Sequence, residues 1–488
     1  MKFMKPFLCI LVLAVPALAA PQPYRTRLQP CKVEGEKGKV AAFCGLHEVW
    51  ENRAAKSGRK IHLKVVVLPA LSAHPKPDPV FFFGGGPGEA IAGEAGFFAG
   101  SHLRRDRDLV FVDQRGTGEP DKLACELGGH PDDLQSYLGE MFPVAAVREC
   151  RERLAKTHDL TLYTTNVGMD DVDEVREWLG YGKIDAWGGS YGTRAAQVYL
   201  RRHPQSVRAV ILEGAAPMDE PLSLSHAAAA QRSLDLLTDW CEKDAACHGR
   251  FPAFRQEFKA VMDRLRREPV TVEVRHPKTG KPVRVKVAWN VVADGVRWTL
   301  YSPGPSGRLP LMIHQAASGD FGPLAQASVR SRLGAIGGIT MGLFFSVTCS
   351  EDIPFIDPAE VAKRTANTFL GDYRVQQQTA ACGVWPHTAI EPGHREPVRT
   401  DVPVLVINGE RDPVTPPDFG RRLTRDMTHA VRIVVPYGTH NSEDPCTDKI
   451  QTAFIAKGSG EGLDLSCVSH IKRPPFALEP EKEKAAAR

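Results

Sequence analysis

The sequence has 488 residues, 42% of them hydrophobic and 25% charged, which is ordinary composition for a globular chain of two or three structural units. The formal net charge is only +4, and no basic run interleaved with aromatic residues occurs, so the sequence argues against a nucleic-acid partner. After the first 20 residues, no stretch is long and apolar enough to predict a membrane span.

The amino terminus has the pattern of a signal peptide at residues 1–19. Lys2 and Lys5 precede a short apolar run at 7–15, and Ala17 and Ala19 form an A-x-A cleavage site. The apolar run is shorter than the roughly 20 residues that a membrane anchor needs. The sequence therefore predicts an exported mature protein, periplasmic or extracellular, that is not bound to a membrane.

Ten of the eleven cysteines follow the predicted signal peptide, and an even number in an oxidising compartment predicts disulfides. The sequence does not decide their connectivity, and nearest-neighbour pairing is our prediction: Cys31–Cys44, Cys125–Cys150, Cys241–Cys247, Cys349–Cys382 and Cys446–Cys467. A metal site at Cys241, Cys247 and His248 is the alternative for one pair, but its spacing matches no standard zinc pattern. We predict no metal and no cofactor.

Short apolar runs rich in Val, Ile and Phe predict buried strands in the first part of the chain. These runs lie at 63–68, 80–83, 109–112, 184–187 and 207–212. A helical pattern at 170–180 precedes the fourth strand, and near-continuous apolarity is typical of a parallel sheet covered on both faces. The pattern predicts a doubly wound, mostly parallel α/β sheet.

A large, mainly helical segment at 219–395 then interrupts the strand pattern, and we interpret it as an inserted cap. It contains a predicted hairpin with alternating valines at 270–274 and 283–287. Strand signals resume at 404–407 and 431–435. The predicted core is therefore divided into 20–218 and 396–472, and residues 473–488 are predicted to form a flexible tail.

The pattern Gly-x-Ser-x-Gly at 188–192 is the strongest local signal. It follows the predicted strand at 184–187 and precedes a helix-compatible run at 193–202. Strand, sharp turn and helix is the context of a nucleophile elbow, which exposes the Ser190 hydroxyl at the end of a sheet. An ordinary strand–helix turn is the alternative, because a chain of this length matches the pattern by chance with odds on the order of 0.1.

A serine nucleophile needs a base, and the base needs an acid that orients it. The acid is predicted to be Asp412, which follows the strand at 404–407 and so lies on the same edge of the sheet as Ser190. Glu410 and Asp418 are weaker candidates, and a turn aspartate without a catalytic role is the alternative for Asp412.

The base is predicted to be His440, which follows the last strand signal at 431–435. His429 precedes that strand and lies at its wrong end, whereas His470 lies near the tail. The order Ser190, Asp412, His440 is the chain order of an α/β-hydrolase, and the predicted cap explains the long gap after Ser190.

A glycine loop at 84–88 follows the strand at 80–83 and predicts an oxyanion site. Backbone N–H groups must approach the developing oxyanion closely, and glycine permits that approach. Pro87 has no N–H, so Gly85 or Gly86 is the predicted donor, with the N–H of Tyr191 as the second. A phosphate-binding loop is the alternative, but no Gly-Lys-Ser/Thr follows and the G-x-G-x-x-G spacing fails at Glu89.

In the segment 113–118, Arg115 is predicted to pair with a carboxylate. This segment, the glycine loop and the elbow resemble the prolyl-aminopeptidase branch of α/β-hydrolase serine peptidases. Segments 163–165, 300–302 and 348–352 are similar to secreted tripeptidyl aminopeptidases in particular. The resemblance covers roughly 32–467. It implies the α/β-hydrolase fold and release of short peptides, or single residues, from a free amino terminus.

An exopeptidase of this kind needs an acidic residue for the substrate α-ammonium, because a buried cation requires a paired anion. Glu351 matches the acidic position of the resembling group, with Asp352 and Glu213 as further candidates. Surface carboxylates or salt bridges within the cap are the alternatives for all three. A secreted esterase and a catalytically silent binding protein are the alternative functions, and a monomer is expected.

Overall fold

The computed structural model describes residues 23–130, 133–441 and 444–480. The predicted signal peptide at 1–19 and the last part of the predicted tail, 481–488, lie outside the described residues. Both therefore stay predictions.

One large sheet and one small hairpin account for the strands in this part of the chain. The strands are β1 (Gln29–Gly35), β2 (Gly38–Trp50), β3 (Lys60–Leu68), β4 (Val80–Phe83), β5 (Leu109–Val112), β6 (Ile184–Gly189), β7 (Val207–Glu213), β8 (Val270–Arg275), β9 (Pro282–Val287), β10 (Val404–Gly409) and β11 (Ala430–Val435). The large sheet has the order β1-β2-β3-β5-β4-β6-β7-β10-β11, and β8 pairs with β9.

The sheet is parallel from β5 to β11 and antiparallel from β1 to β5. Every strand predicted from the sequence is present, which confirms the mostly parallel α/β sheet. The sequence analysis missed β1 and β2, because their burial alternates along the strand instead of forming a continuous apolar run.

Helices cover the sheet and build the inserted segment. They are α1 (Ile91–Glu94), α2 (Val144–Leu154), α3 (Thr165–Trp178), α4 (Tyr191–Arg202), α5 (Leu222–Lys243), α6 (Ala245–Arg250), α7 (Phe254–Arg267), α8 (Trp289–Thr299), α9 (Pro303–Ser306), α10 (Leu309–Ala317), α11 (Gly322–Gly338), α12 (Met341–Glu351), α13 (Pro358–Thr365), α14 (Tyr373–Cys382), α15 (Pro417–Leu423) and α16 (Pro445–Lys457). The helix predicted at 170–180 begins five residues earlier, at Thr165.

Both faces of the large sheet are buried. In β4, Phe81 and Phe83 belong to one hydrophobic cluster, and Val80 and Phe82 belong to another. Residues of α2, α3 and α4 complete the first cluster, and residues of α1 and α16 complete the second. Successive side chains of a strand point to opposite faces, so these two clusters are the two covered faces of a doubly wound sheet.

The cap has a hydrophobic core of its own, formed mainly by α5, α7, α8, α10 and α11 together with the β8–β9 hairpin. The buried hydrophobic side chains of α12, in the later part of the predicted cap, do not belong to this core. Phe345 of α12 and Trp385 are buried in the cluster of the sheet, so this part packs on the α/β core. The segment 219–395 is therefore one insertion in sequence that contributes to two cores.

The chain beyond Arg473 is packed where it is described. Phe476 is 8% exposed and belongs to the hydrophobic core of the cap, and the Ala477 N–H donates to the Gly307 carbonyl at 3.0 Å. Arg473 forms an ion pair with Asp244. The prediction of a flexible tail is wrong for residues 473–480, because Phe476 supplies apolar surface that the cap buries.

The ten cysteines form the five nearest-neighbour disulfides that the sequence analysis predicted. Cys349–Cys382 joins α12 to α14, and Cys446–Cys467 ties α16 to the segment that follows it. Among the described helices, none is both long enough and apolar enough to cross a membrane.

Candidate active site

Ser190 stands on the sharp turn between β6 and α4, in a backbone conformation that L-residues rarely adopt, with φ at 55° and ψ at −123°. Its N–H donates to the Glu213 carbonyl at 2.9 Å, which ties the turn to the end of β7. A Cβ added at Gly192 would overlap the Phe83 carbonyl oxygen, and one at Gly188 would overlap the Gly192 carbonyl oxygen. Glycine is therefore required on both sides of the strained serine.

Asp412 and His440 meet at the same edge of the sheet, beyond β10 and β11. His440 Nδ1 lies 2.8 Å from Asp412 Oδ2, and the Asp412 side chain is fully buried. The other oxygen, Oδ1, accepts the N–H groups of Val414 and Thr415, each at 2.8 Å. These hydrogen bonds hold the carboxylate in a single orientation, with Oδ2 directed at the imidazole.

Thr415 strengthens this contact and was not singled out in the sequence analysis. Its hydroxyl lies 2.7 Å from Asp412 Oδ2 and 3.2 Å from His440 Nδ1. The two rival acids take other roles, because Glu410 Oε2 accepts the Tyr437 N–H at 2.8 Å and Asp418 pairs with an arginine on its own helix. Of the three candidates, Asp412 is the one bonded to the imidazole.

A cap residue that sequence analysis assigned no role, Tyr301, fixes the histidine loop. Its ring centroid is 5.0 Å from that of His440 in an edge-on contact, and its carbonyl accepts the Thr439 hydroxyl at 2.6 Å and the Asn441 N–H at 2.8 Å. The residues on both sides of His440 are thus bonded to the cap. No local sequence signal could have shown this, because the partners are separated by 138 residues.

Ser190 and His440 line one cavity of about 340 Å³ between the sheet and the cap. Gly85 and Gly86 line it as well, and residues from α5, α8, α12 and α14 form its cap side. The structure therefore brings the predicted nucleophile, base and glycine loop to one cavity. Among the described residues, no group of three or more His, Cys, Asp or Glu side chains is placed to hold a metal ion.

The glycine loop differs from the prediction at Gly85. The Gly85 N–H donates to the Glu89 carboxylate, so it is already bonded. Within the described part of the chain, no hydrogen bond engages the N–H of Gly86 or of Tyr191. The available pair of donors is therefore Gly86 and Tyr191. Glu89 follows the glycine loop directly in sequence, and this position could have identified it as a hydrogen-bond partner of the loop.

The structure places Glu351 beneath the cavity wall instead of at its surface. Its Oε1 accepts the Thr165 N–H at 2.7 Å, its Oε2 accepts the Thr165 hydroxyl at 2.7 Å, and His394 Nε2 lies 3.2 Å from Oε2. Burial opposes ionisation, but the hydrogen bonds from His394 and Thr165 outweigh it and lower the pKa of Glu351. Both oxygens already accept hydrogen bonds and Glu351 is not among the residues that line the cavity, so its contact with a substrate amine stays a prediction.

The other two predicted amine-binding residues also have partners within the protein. Asp352 lines the cavity, but its carboxylate pairs with Arg194 at 2.8 Å. Glu213 is not among the residues that line the cavity, and its Oε2 accepts the Gln451 side-chain amide at 3.2 Å. The salt bridge of Asp352 joins the inserted segment to α4, and the hydrogen bond of Glu213 joins the end of β7 to α16.

Arg115 has the carboxylate partner that the sequence analysis predicted. Its guanidinium donates two hydrogen bonds to Asp171, at 2.7 and 3.0 Å, and further bonds to the Glu51 and Leu162 carbonyls at 2.9 and 2.8 Å. The side chain is 1% exposed. It therefore supports the loop after β5 from within the core and has no contact with the cavity.

Two family models match this chain in separate parts. Residues 78–270 match the alpha/beta hydrolase fold, and residues 367–467 match the TAP-like protein family. The two matches cover the glycine loop and the elbow on one side, and Asp412 and His440 on the other.

Among curated relatives, the chain is 26% identical to "Serine protease Hip1" of Mycobacterium tuberculosis over 90% of both chains. It is 29% identical to "Proline iminopeptidase" of Neisseria gonorrhoeae over 29% of this chain and 34% of the relative. A solved proline iminopeptidase structure from Mycobacterium smegmatis aligns with a TM-score of 0.38 at 15% identity, covering 85% of this chain and 98% of that one.

Strand order, elbow geometry and family matches agree with one another. The nucleophile follows β6, the acid follows β10 and the histidine follows β11, which is the arrangement of the α/β-hydrolase superfamily. We conclude that this chain is a serine hydrolase with the α/β-hydrolase fold, and that its residues 367–467 are similar to the TAP-like protein family.

Proposed function

We propose that this protein is an exported serine exopeptidase that releases short peptides or single residues from free amino termini. The observation that carries the proposal is the 2.8 Å contact between Asp412 and His440, because His440 lines one cavity with Ser190 beneath a cap. Similarity to a serine protease over nine-tenths of both chains supports peptide as the substrate class. Five disulfides support an oxidising compartment outside the cytoplasm.

In the proposed mechanism, Ser190 Oγ attacks the carbonyl carbon of the scissile peptide bond while His440 takes the hydroxyl proton. Asp412 holds the imidazole with Nδ1 toward the carboxylate, and this leaves Nε2 to accept the proton. The N–H groups of Gly86 and Tyr191 stabilise the oxyanion.

As the carbon–nitrogen bond breaks, His440 returns the proton to the leaving amine, and an acyl-enzyme remains on Ser190. A water molecule, deprotonated by His440, then attacks the acyl carbon. The acid is released, and the serine hydroxyl is restored.

The cap supports exopeptidase action, because a cavity of about 340 Å³ holds only a few residues of a chain. Four acidic residues line it, namely Glu89, Glu140, Asp294 and Asp352, and two of them are candidates for the proposed ammonium group. Asp352 is one, although Arg194 already neutralises it. Glu89 is the other, and in the described residues no cationic side chain pairs with it.

The test compares tripeptidyl chromogenic amides that carry either a free or an acetylated amino terminus. We expect turnover of the free-amine substrate, at least about tenfold lower turnover after acetylation, and none with Ser190→Ala. Equal turnover of both forms would favour the esterase alternative. A wild-type protein that a fluorophosphonate probe does not label would contradict the serine mechanism altogether.

A further inference from the structure

Part of the cavity wall is rich in positive charge and in hydrogen-bond donors, and the proposed mechanism uses none of them. We call it the cationic wall and define it as Ser223, His226, Arg297 and Arg374, all of which line the cavity. The first two lie one turn apart on α5, and the arginines belong to α8 and α14. Three separate elements of the fold thus converge on one region of the cavity.

Arg374 is a cavity arginine without an acidic partner among the described residues. Its Nε donates to the Gln378 side-chain oxygen at 3.0 Å, and its guanidinium stacks on the rings of Phe142 and Phe344 at 5.1 and 5.5 Å. Burial, and then repulsion by Arg297, lower its pKa to about 10, so it remains a cation at neutral pH. A buried cation of this kind is stabilised when an anion binds beside it.

Arg297 is only partly neutralised. Its Nε donates to Asp294 at 3.3 Å and its Nη1 to the Tyr301 hydroxyl at 2.7 Å. One carboxylate therefore faces two guanidinium groups that repel each other. Arg332 also lines the cavity and donates to the uncharged backbone carbonyls of Tyr137 and Glu140, so it adds a further positive charge that acts on Arg374.

Two buried polar atoms of the cationic wall have no protein partner. The hydroxyl oxygen of Ser223 and Nδ1 of His226 are buried without a hydrogen bond in the described structure, and these residues are 4% and 9% exposed. Burial, followed by repulsion from Arg297 and Arg374, lowers the pKa of His226, so its ring is neutral and carries one N–H. An unpaired buried polar group is costly, and a ligand that accepts hydrogen bonds here would remove that cost.

We infer that the cationic wall is a subsite for a substrate carboxylate. A carboxylate accepts several hydrogen bonds, matches the planar guanidinium group and would compensate the excess charge of Arg297 and Arg374. The inference deepens the proposed function and rests on it for placing a peptide in this cavity. The carboxylate has two possible sources, an acidic side chain of the peptide or the free carboxy terminus of a short peptide.

Binding to the inactive Ser190→Ala protein tests the subsite without turnover. Isothermal titration calorimetry would compare two matched pairs of peptides. Ala-Ala-Glu-amide against Ala-Ala-Gln-amide tests an acidic side chain, and Ala-Ala-Ala against its carboxy-terminal amide tests a free carboxy terminus. We expect the carboxylate member of at least one pair to bind about tenfold more tightly, because hydrogen bonds to charged groups are the strong ones.

Adding Arg374→Met to the Ser190→Ala protein should bring the ratio of the two dissociation constants within that pair close to one. The control Arg330→Met removes an exposed arginine of α11 and should leave this ratio unchanged. Thermal unfolding would show whether Arg374→Met is folded. If it is not, His226→Phe, which removes both ring nitrogens, should reduce the ratio in its place.

Equal affinity within both pairs, or no binding of any peptide, would overturn the inference, as would a preference that survives both Arg374→Met and His226→Phe. The proposed peptidase function fails on a different result, namely the absence of wild-type turnover. The two failures are therefore distinguishable.

Discussion

Both carboxylate oxygens of Glu351 accept hydrogen bonds from Thr165, one from the backbone N–H and the other from the hydroxyl, each at 2.7 Å. The same hydroxyl lies 2.7 Å from the hydroxyl of Tyr191, the residue after the nucleophile. Through these contacts the end of α12 is bonded to the start of α3 and to the elbow. The glutamate predicted to bind the substrate amine is thus linked to the elbow through the hydroxyl of Thr165.

Glu351→Gln should lower the free energy of unfolding by about 3 kcal/mol, because it disrupts the buried hydrogen bonds that the carboxylate makes with Thr165 and His394. Urea denaturation followed by circular dichroism measures the change. Glu360→Gln, on the exposed start of α13, is the matched control and should change stability little. Unchanged stability combined with a selective loss of activity on free-amine substrates would instead support the amine-binding role.

Asp412→Asn should reduce kcat by about 10⁴-fold, because the amide no longer holds the His440 ring in the orientation and tautomer that base catalysis needs. Steady-state kinetics on a chromogenic substrate measures the loss. Asp418→Asn changes an exposed carboxylate at the start of α15 and should leave kcat within about twofold. An Asp412→Asn enzyme that retained a tenth of its activity would remove Asp412 from the mechanism.

Gly192→Ala should destabilise the protein by about 3 kcal/mol or more, since the new methyl group has no space beside the Phe83 carbonyl. Fluorophosphonate labelling of Ser190 should fall with it, because the elbow must shift. Gly249→Ala is the control, as a Cβ there meets no atom within 4 Å. Normal stability and labelling in Gly192→Ala would show that the turn is looser than its contacts indicate.

Asp113 predicts a particular pH dependence of stability. Burial raises its pKa to about 6, although the Ala92 N–H donates to its Oδ1 at 2.8 Å. The folded state therefore favours the protonated acid, and this contribution is fully present below about pH 4 and is lost as the pH rises through about 6.

In Asp113→Asn the side chain does not titrate. The free energy of unfolding of the variant, relative to that of the wild type, should therefore rise by up to about 3 kcal/mol between pH 4 and 6.5, and the difference should stay constant above that pH. Urea unfolding of both proteins across this range measures the difference. Parallel curves for the two proteins would mean that Asp113 ionises normally in the fold.

Local patterns determined much of this protein before the fold was known. Apolar runs located the strands of the parallel sheet, and Gly188 and Gly192 identified the elbow at Ser190. Chain order then singled out Asp412 and His440, because loops after parallel strands meet at one edge of a sheet. The sequence predicts these features because the residues that form each strand or turn are neighbours in sequence.

The tertiary structure decided which polar groups face the cavity and which are already bonded. Glu351 is an acidic residue at a promising position, but His394 and Thr165 engage it from segments that are distant in sequence. The Gly85 N–H is bonded to Glu89, whereas Arg374 lines the cavity without an acidic partner in the described residues. Burial and pairing depend on contacts between distant segments, so the sequence by itself determined the reaction centre and only the fold decided its surroundings.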